Sequence, residues 1–255
     1  MTEKSGHWSR VVKVVEQADV VMEVLDARFP ERTRHAGLES LAREKGKKVL
    51  LVMNKADLVK KEKLEESRNK LLKNWPCLCV SAKQHEGSNA LWAEISRLTG
   101  DQECKVGVCG YPNTGKSSII NYMKGRKVAQ TSIKAGFTKG EKLVKVSEKV
   151  YLIDSPGIIP YEERDQNELV LVGAKNPEQV SDPLGAAEYL MEFIAQENPK
   201  AFEEFYGVGI EGKDFERILE EIAYRKRRLR VGGNPDLDVI SRMLIMDWQK
   251  GRLKL

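Results

Sequence analysis

The chain is poor in the features that mark membrane, secreted or zinc-binding proteins. Its 255 residues contain no run of 18 or more apolar residues, so no segment reads as a bilayer-spanning helix. The opening Met1-Thr2-Glu3-Lys4-Ser5-Gly6 lacks the apolar stretch of a secretory signal. The four cysteines, Cys77, Cys79, Cys104 and Cys109, include no Cys-x2-Cys pair, and the three histidines, His7, His35 and His85, are scattered. A disulfide framework and a zinc finger are thereby disfavoured, and the thiols are expected to be buried and reduced. Charge of one sign is also scarce, with 43 Lys and Arg against 38 Asp and Glu for a net +5. That balance is too weak to demand a nucleic acid by itself. These absences point to a cytoplasmic protein with no membrane partner.

What is present is an alternation of short apolar runs and helix-like stretches, the pattern of a layered α/β sheet. Strands are expected at about 20–25, 49–53, 77–80, 105–109, 142–146 and 150–153. Helices are expected around 37–45, 61–74, 89–98 and 116–124, with a helical stripe of Trp8, Val11, Val12 and Val15 ahead of the first strand.

One strand-to-helix junction carries a full phosphate-loop pattern, Gly110-Tyr111-Pro112-Asn113-Thr114-Gly115-Lys116-Ser117. It follows the apolar run 105–109 and precedes a helix-like stretch, which is the context the motif requires. The N–H groups of Asn113, Thr114, Gly115, Lys116, Ser117 and Ser118 are expected to face the α and β phosphates. Lys116 would bring charge to the β and γ phosphates, and the Ser117 hydroxyl would ligate Mg²⁺.

Asn54-Lys55-Ala56-Asp57 ends the apolar run 48–53. The Asp57 carboxylate would accept from guanine N1 and N2, where adenine has no matching donors. Asn54 would tie this loop to the phosphate loop, and the Lys55 stem would cover the base. One strand later, Ser81-Ala82-Lys83 would offer the Ala82 N–H to guanine O6. The ligand expected from this set is GTP or GDP.

Asp154-Ser155-Pro156-Gly157 follows the strand-like 150–153, so Asp154 would hold Mg²⁺ through water and the Gly157 N–H would sense the γ phosphate. Between the two phosphate elements, Thr138 in Gly136-Phe137-Thr138 is the expected further Mg²⁺ ligand, with Thr131 and Ser132 as rivals. Lys116, Thr138 and Gly157 are therefore the candidate catalytic residues. Ile158 follows Gly157 where a polar side chain could orient water, so unaided hydrolysis should be slow.

The guanine-reading boxes precede the phosphate-binding ones, an inversion of the usual order. A parallel sheet tolerates such a cut, because ligand loops sit at the strand C-ends whatever connects them. The expected fold is thus α/β: a circularly permuted P-loop G domain over 1–179, then a small all-helical domain over 180–255. In the latter, Ser181-Asp182-Pro183 reads as a helix start, and helices are expected around 183–196, 200–205, 213–229 and 236–250. Leu237, Ile240, Leu244 and Trp248 form a core-facing stripe.

With the permuted boxes, Asp26-Ala27-Arg28-Phe29-Pro30, Tyr111-Pro112-Asn113, and the tail Asn234-Pro235-Asp236 through Asp247-Trp248-Gln249-Lys250-Gly251-Arg252, nearly the whole chain resembles the circularly permuted ribosome-assembly GTPases of the YlqF/RbgA and YawG type. The resemblance implies a GTPase switch that binds a ribosomal subunit precursor, that of the large subunit, and leaves after hydrolysis. It also implies a K⁺ ion ligated by Asn113, against which stands a purely structural role of Asn113 in the loop turn. Departures from the pattern are Thr114 where Val is common and Ala135-Gly136-Phe137-Thr138 at the switch.

Residues 181–221 hold eleven acidic and three basic side chains, whereas 222–255 hold nine basic and three acidic. Arg225, Lys226, Arg227, Arg228 and Arg230 are the densest cluster. Such a run is usually a solvated face, but the resemblance implies contact with ribosomal RNA. DNA is not an expected partner, and the protein should be a monomer off the ribosome. A competing reading is a GTP-gated RNA- or protein-binding or regulatory module with little hydrolysis.

Overall fold

Strand β1, Val20–Asp26, is first along the chain yet lies inside the sheet, paired in parallel with β2 (Lys48–Asn54) on one side and β4 (Cys104–Cys109) on the other. The computed structural model describes residues 2–125, 143–159, 165–212 and 214–254. Thr138 and its rivals Thr131 and Ser132 lie outside the described residues. The six-stranded order is β3-β2-β1-β4-β6-β5, with β3 at Cys77–Cys79, β5 at Leu143–Lys145 and β6 at Val150–Asp154. Every pairing is parallel except that of β5 with β6. This arrangement is the circularly permuted G-domain sheet expected above, and all six expected strands are present.

Being covered on both faces, β1 is apolar at every position but Glu23 and Asp26, and its apolar side chains alternate between two cores. Val20, Met22 and Val24 join a cluster with Ile119, Ile120 and Met123 of α5 (Lys116–Lys124) and Leu91 and Ile95 of α4 (Ser88–Thr99). Val21 and Leu25 join the opposite cluster, with Val11, Val14 and Val15 of α1 (Thr2–Gln17), Leu38 and Ala42 of α2 (Ala36–Glu44) and Leu71 of α3 (Lys61–Leu71). All four cysteines are free thiols. No helix among the described residues is long and apolar enough to cross a membrane.

The chain divides into two compact units, Met1–Pro160 and Tyr161–Leu255. The division falls ahead of the boundary expected at Gln179. A short helix, α6 (Gln166–Leu171), gives no strong periodic signal, and carbonyls in it and just after it accept from Trp248 and Gln249. Trp248 Nε1 donates to Leu171 O at 2.8 Å, and Gln249 Nε2 to Lys175 O at 2.9 Å.

The second unit's longer elements are all helices, with α7 at Pro183–Glu197, α8 at Pro199–Tyr206, α9 at Phe215–Lys226 and α10 at Leu237–Gln249. Asp182 caps α7, accepting from the Gly185 N–H, and proline occupies the first turn. Of the expected stripe on α10, Ile240, Leu244 and Trp248 are fully buried and Leu237 is half-buried. The helix expected over 213–229 stops at Lys226, because Arg227 turns into the left-handed region at φ +53°.

Candidate nucleotide site

The parallel strands deliver their functional residues to one edge of the sheet, since each lies at or just past a strand C-end: Asp26 ends β1, Asn54 ends β2, Ser81 lies past β3, Gly110 follows β4 and Asp154 ends β6. Adjacent registers fix their levels, with Asp26 beside Asn54 and Val108 beside Asp154.

Asn54 links three loops. Its Nδ2 donates to Thr114 O of the phosphate loop at 2.9 Å, and its Oδ1 accepts from the Ala82 N–H at 3.1 Å. The tie to the phosphate loop expected of Asn54 is therefore built into the fold. The Ala82 N–H, expected to face guanine O6, is committed to Asn54 in this structure. Ser81, fully buried, donates its hydroxyl to Asp57 Oδ1 at 2.6 Å and accepts from the Gln84 N–H at 3.1 Å. The serine of an otherwise uninformative triplet thus orients the carboxylate proposed to read the base. Lys83 is exposed in the turn that follows.

The phosphate loop is shaped by backbone that only small residues tolerate. Gly110 has φ +137°, and a Cβ there would lie 2.4 Å from Val24 O. Gly115 has φ +98°, and its Cβ would meet Asn54 Nδ2 at 2.1 Å. Asn113 is left-handed at φ +59°, a conformation asparagine adopts more readily than most residues. Helix α5 starts directly after Gly115 without a side-chain cap, leaving its first N–H groups as anion donors. Ser117 and Ser118 are exposed on that first turn. Thr114 is buried, its hydroxyl donating to Tyr111 O at 3.0 Å.

Lys116 is nearly buried and donates to the carbonyls of Gly110, at 3.1 Å, and Tyr111. A buried ammonium needs such acceptors. Burial lowers its pKa to about 8, with the Asp154 charge opposing the shift. On the other side of the loop Gly157 packs so closely on Pro112 that a Cβ would sit 2.9 Å from its N, Cα and Cγ. The Ile158 N–H donates to Gly110 O at 3.2 Å while the Ile158 side chain joins the core beneath α1 and α2.

Asp26 and Arg28 belong to this edge although no role is legible for them in the sequence. Arg28 donates from Nε to Asp26 Oδ1 at 3.0 Å and from Nη2 to Oδ2 at 2.8 Å, and Lys55 Nζ donates to Oδ2 at 2.6 Å. Burial alone would raise the Asp26 pKa, but Arg28 and Lys55 hold it well below the usual carboxylate range. Burial also lowers the pKa of Lys55, against the pull of Asp26. The available sequence signal was the family-like Asp26-Ala27-Arg28-Phe29-Pro30, which marks both residues without giving them a role.

The cationic run of the second unit is exposed from Arg225 to Arg230, but it is not one helical face. Lys226 Nζ lies 5.8 Å from the Phe205 ring centroid, and Arg230 pairs with Asp236 at 3.4 Å. Beyond α9 the chain makes a small hairpin, closed by the Leu229–Pro235 bridge and turned by Gly232 and Gly233, both left-handed. Tyr224, Leu229 and Val231 are exposed beside the charges.

A phosphate-loop strand and a guanine-loop strand on one sheet edge, met along the chain in reversed order, define a circularly permuted G domain. The profile of the 50S ribosome-binding GTPase family matches residues 105–190. An uncharacterized GTP-binding protein of Methanocaldococcus jannaschii is 39% identical over 246 residues, covering 95% of this chain and 65% of its own length. Nucleolar GTP-binding protein 2 of Pneumocystis carinii is 32% identical over 255 residues, covering 96% of this chain and 52% of its own. The chain thus spans between about half and two-thirds of the length of these two relatives. In fold it is similar to GNP-bound YlqF from T. maritima, with a TM-score of 0.71, 22% identity, and coverage of 98% of this chain and 95% of that one. The chain thus has the fold of the circularly permuted GTPase YlqF, and its residues 105–190 match the 50S ribosome-binding GTPase family.

Proposed function

We propose that this chain binds GTP and GDP, hydrolyses GTP, and acts as a switch on a ribosomal subunit precursor. The observation that carries the reading is the double hydrogen bond of Asn54, which fastens the loop bearing Asp57 to both the phosphate loop and the Ser81-Ala82-Lys83 turn. Guanine would lie against Lys55, with its N1 and N2 donors on Asp57. The phosphates would lie on the N–H groups of Asn113 to Ser118, with Lys116 turning from loop carbonyls to phosphate oxygens.

Ser117 and Asp154 offer hard oxygen donors that suit Mg²⁺, with Thr138 the further ligand expected from the sequence. Among the described residues no group of three or more His, Cys, Asp or Glu side chains could hold a metal, so Mg²⁺ would depend on nucleotide oxygens. With Ile158 turned into the core, water activation has no polar side chain at that position, and positioning plus charge must do the work. K⁺ at Asn113 would supply part of that charge; turnover faster in K⁺ than in Na⁺, and equal in both for Asn113→Ala, is the expected result.

The nucleolar and ribosome-binding names of the relatives support a ribosomal precursor as partner. Arg225, Lys226, Arg227, Arg228 and Arg230 are proposed to contact its RNA, in a cytoplasmic protein that is monomeric off the ribosome. The test is co-sedimentation with ribosomal subunits in GDP and in a non-hydrolysable GTP analogue, which should differ by about 5- to 150-fold in affinity. A second reading, a GTP-gated binding module with little turnover, is favoured by the buried Ile158. It predicts the same nucleotide-dependent binding without phosphate release when subunits are added.

A further inference from the structure

Asp26 places one carboxylate, with no solvent exposure, between two cations. Arg28 already satisfies both of its oxygens through Nε and Nη2, and its backbone N–H adds a third bond to Oδ1 at 3.1 Å. Charge balance therefore does not require Lys55. A lysine in a loop at a strand end ordinarily extends its ammonium into water, and taking it out of water is unfavourable. Yet the Lys55 side chain is drawn in to 19% exposure, with its ammonium 2.6 Å from Asp26 Oδ2.

The anchor is itself tied to the loop that it holds. The Asp26 N–H donates to Thr33 Oγ1 at 3.0 Å, the Ala27 N–H donates to Asn54 O at 2.8 Å, and Asp26 pairs in register with Asn54, the residue before Lys55. Lys55 has a left-handed backbone, at φ +64° and ψ +34°. An unanchored side chain on such a residue would sample many rotamers, each of which must be given up when a ligand is covered.

We propose that Asp26 is a positioning residue of the guanine loop, acting through Lys55: it holds the lysine stem extended as a preformed face for the base, with Arg28 as the counter-charge that keeps Asp26 ionised. The proposal rests on the guanine-nucleotide reading above. Asp57 selects the base by its donors, whereas Asp26 sets how much affinity the base gains from the Lys55 stem. The two residues therefore affect different quantities.

The test compares Arg28→Met with Asp26→Asn/Arg28→Met in the full chain. The double variant removes the buried pair together and avoids leaving two cations facing each other, so it separates loss of the anchor from burial of an unpaired charge. GDP and IDP affinities are measured by titration, with a melting scan of each nucleotide-free variant. The double variant should bind both nucleotides about tenfold more weakly than Arg28→Met, with the GDP to IDP ratio unchanged. Adding Lys55→Met to it should cause no further loss. Acylation of Lys55, read by mass spectrometry without nucleotide, should be faster in the double variant.

Equal GDP affinity in the two variants overturns the proposal, as does a further loss on adding Lys55→Met. If the double variant fails to fold, Asp26→Asn/Arg28→Gln, which keeps hydrogen-bonding groups in place of the buried pair, is compared with Arg28→Gln, and undiminished GDP affinity there overturns the proposal. A parent chain that binds no guanine nucleotide overturns the functional reading and this proposal with it. A parent that binds GDP while the variants match one another overturns only the Asp26 role.

Discussion

The side-chain amide of Asn54 donates to the carbonyl of Thr114, 60 residues later in the chain, at 2.9 Å. Asn54→Ala would leave that buried carbonyl and the Ala82 N–H without this partner. Unpaired buried polar groups cost about 1 to 3 kcal/mol each, so the variant should lose both stability and nucleotide affinity. Asp57→Asn should separate the two, because an amide oxygen can still accept from Ser81 while losing its match to guanine. A urea midpoint and a GDP titration for each variant check this; an Asn54→Ala protein unchanged in both would sink the assignment of Asn54 as the link.

Lys116 predicts opposite pH trends for folding and for binding. Its pKa is about 8 in the folded protein against an ordinary 10.5, so between these values the unfolded chain binds more protons. Stability of the nucleotide-free protein should therefore rise from pH 8 to 10.5 on this group's account. Phosphate binding needs the ammonium, so GDP affinity should fall over the same window, by up to roughly tenfold per pH unit. Melting scans and GDP titrations from pH 7 to 10 should diverge in the parent and lose this divergence in Lys116→Met.

The fold was largely legible because the sheet is buried on both faces, which makes its strands continuous apolar runs bounded by polar loops. The same economy explains what was missed. Asp26 and Arg28 stood out only as part of the family-like Asp26-Ala27-Arg28-Phe29-Pro30, since nothing local shows that Arg28 and Lys55 converge on Asp26 from two loops. Residues 227–230 continued the charge pattern of α9, and only the backbone of Arg227, followed by Gly232 and Gly233, takes them out of the helix. Local motifs therefore located the candidate nucleotide loops and the Asn54 tie between two of them, while the convergence of Arg28 and Lys55 on Asp26 stayed invisible.

Glu23 is fully buried within β1, its Oε1 accepting from the His35 N–H at 2.6 Å. Burial, then the nearby Glu39 charge, raises its pKa from 4.5 to about 8, with the His35 N–H opposing. Its folded-state pKa lies above the unfolded one, so the associated stability is complete below pH 4.5 and is lost as pH rises through 8. Glu23→Gln keeps an oxygen for His35 and removes the titration. The difference in urea midpoint between parent and variant should therefore shift in favour of the variant from pH 5 to 8; a pH-independent difference would refute the assignment.

The hairpin after α9 gives unequal weights to the proposed RNA contacts. Lys226 already stacks near Phe205 and Tyr206, and Arg230 is paired with Asp236, so moving either to a phosphate would give up an existing interaction. Arg227 and Arg228 lie where the chain leaves the helix, exposed and followed by the exposed Leu229 and Val231. Each phosphate contact releases condensed counterions, and on a single strand one lost contact should flatten the slope of log affinity against log salt by about 0.7. Arg227→Ala/Arg228→Ala should therefore weaken binding to ribosomal subunits in GDP and in a GTP analogue alike, and flatten the slope more than Lys226→Ala/Arg230→Ala. The latter pair should instead lower the melting temperature more, having lost a ring contact and an ion pair. Sedimentation at several salt concentrations, with a melting scan of each variant, measures both effects; a parent-like salt slope in Arg227→Ala/Arg228→Ala would place the RNA contact outside this hairpin.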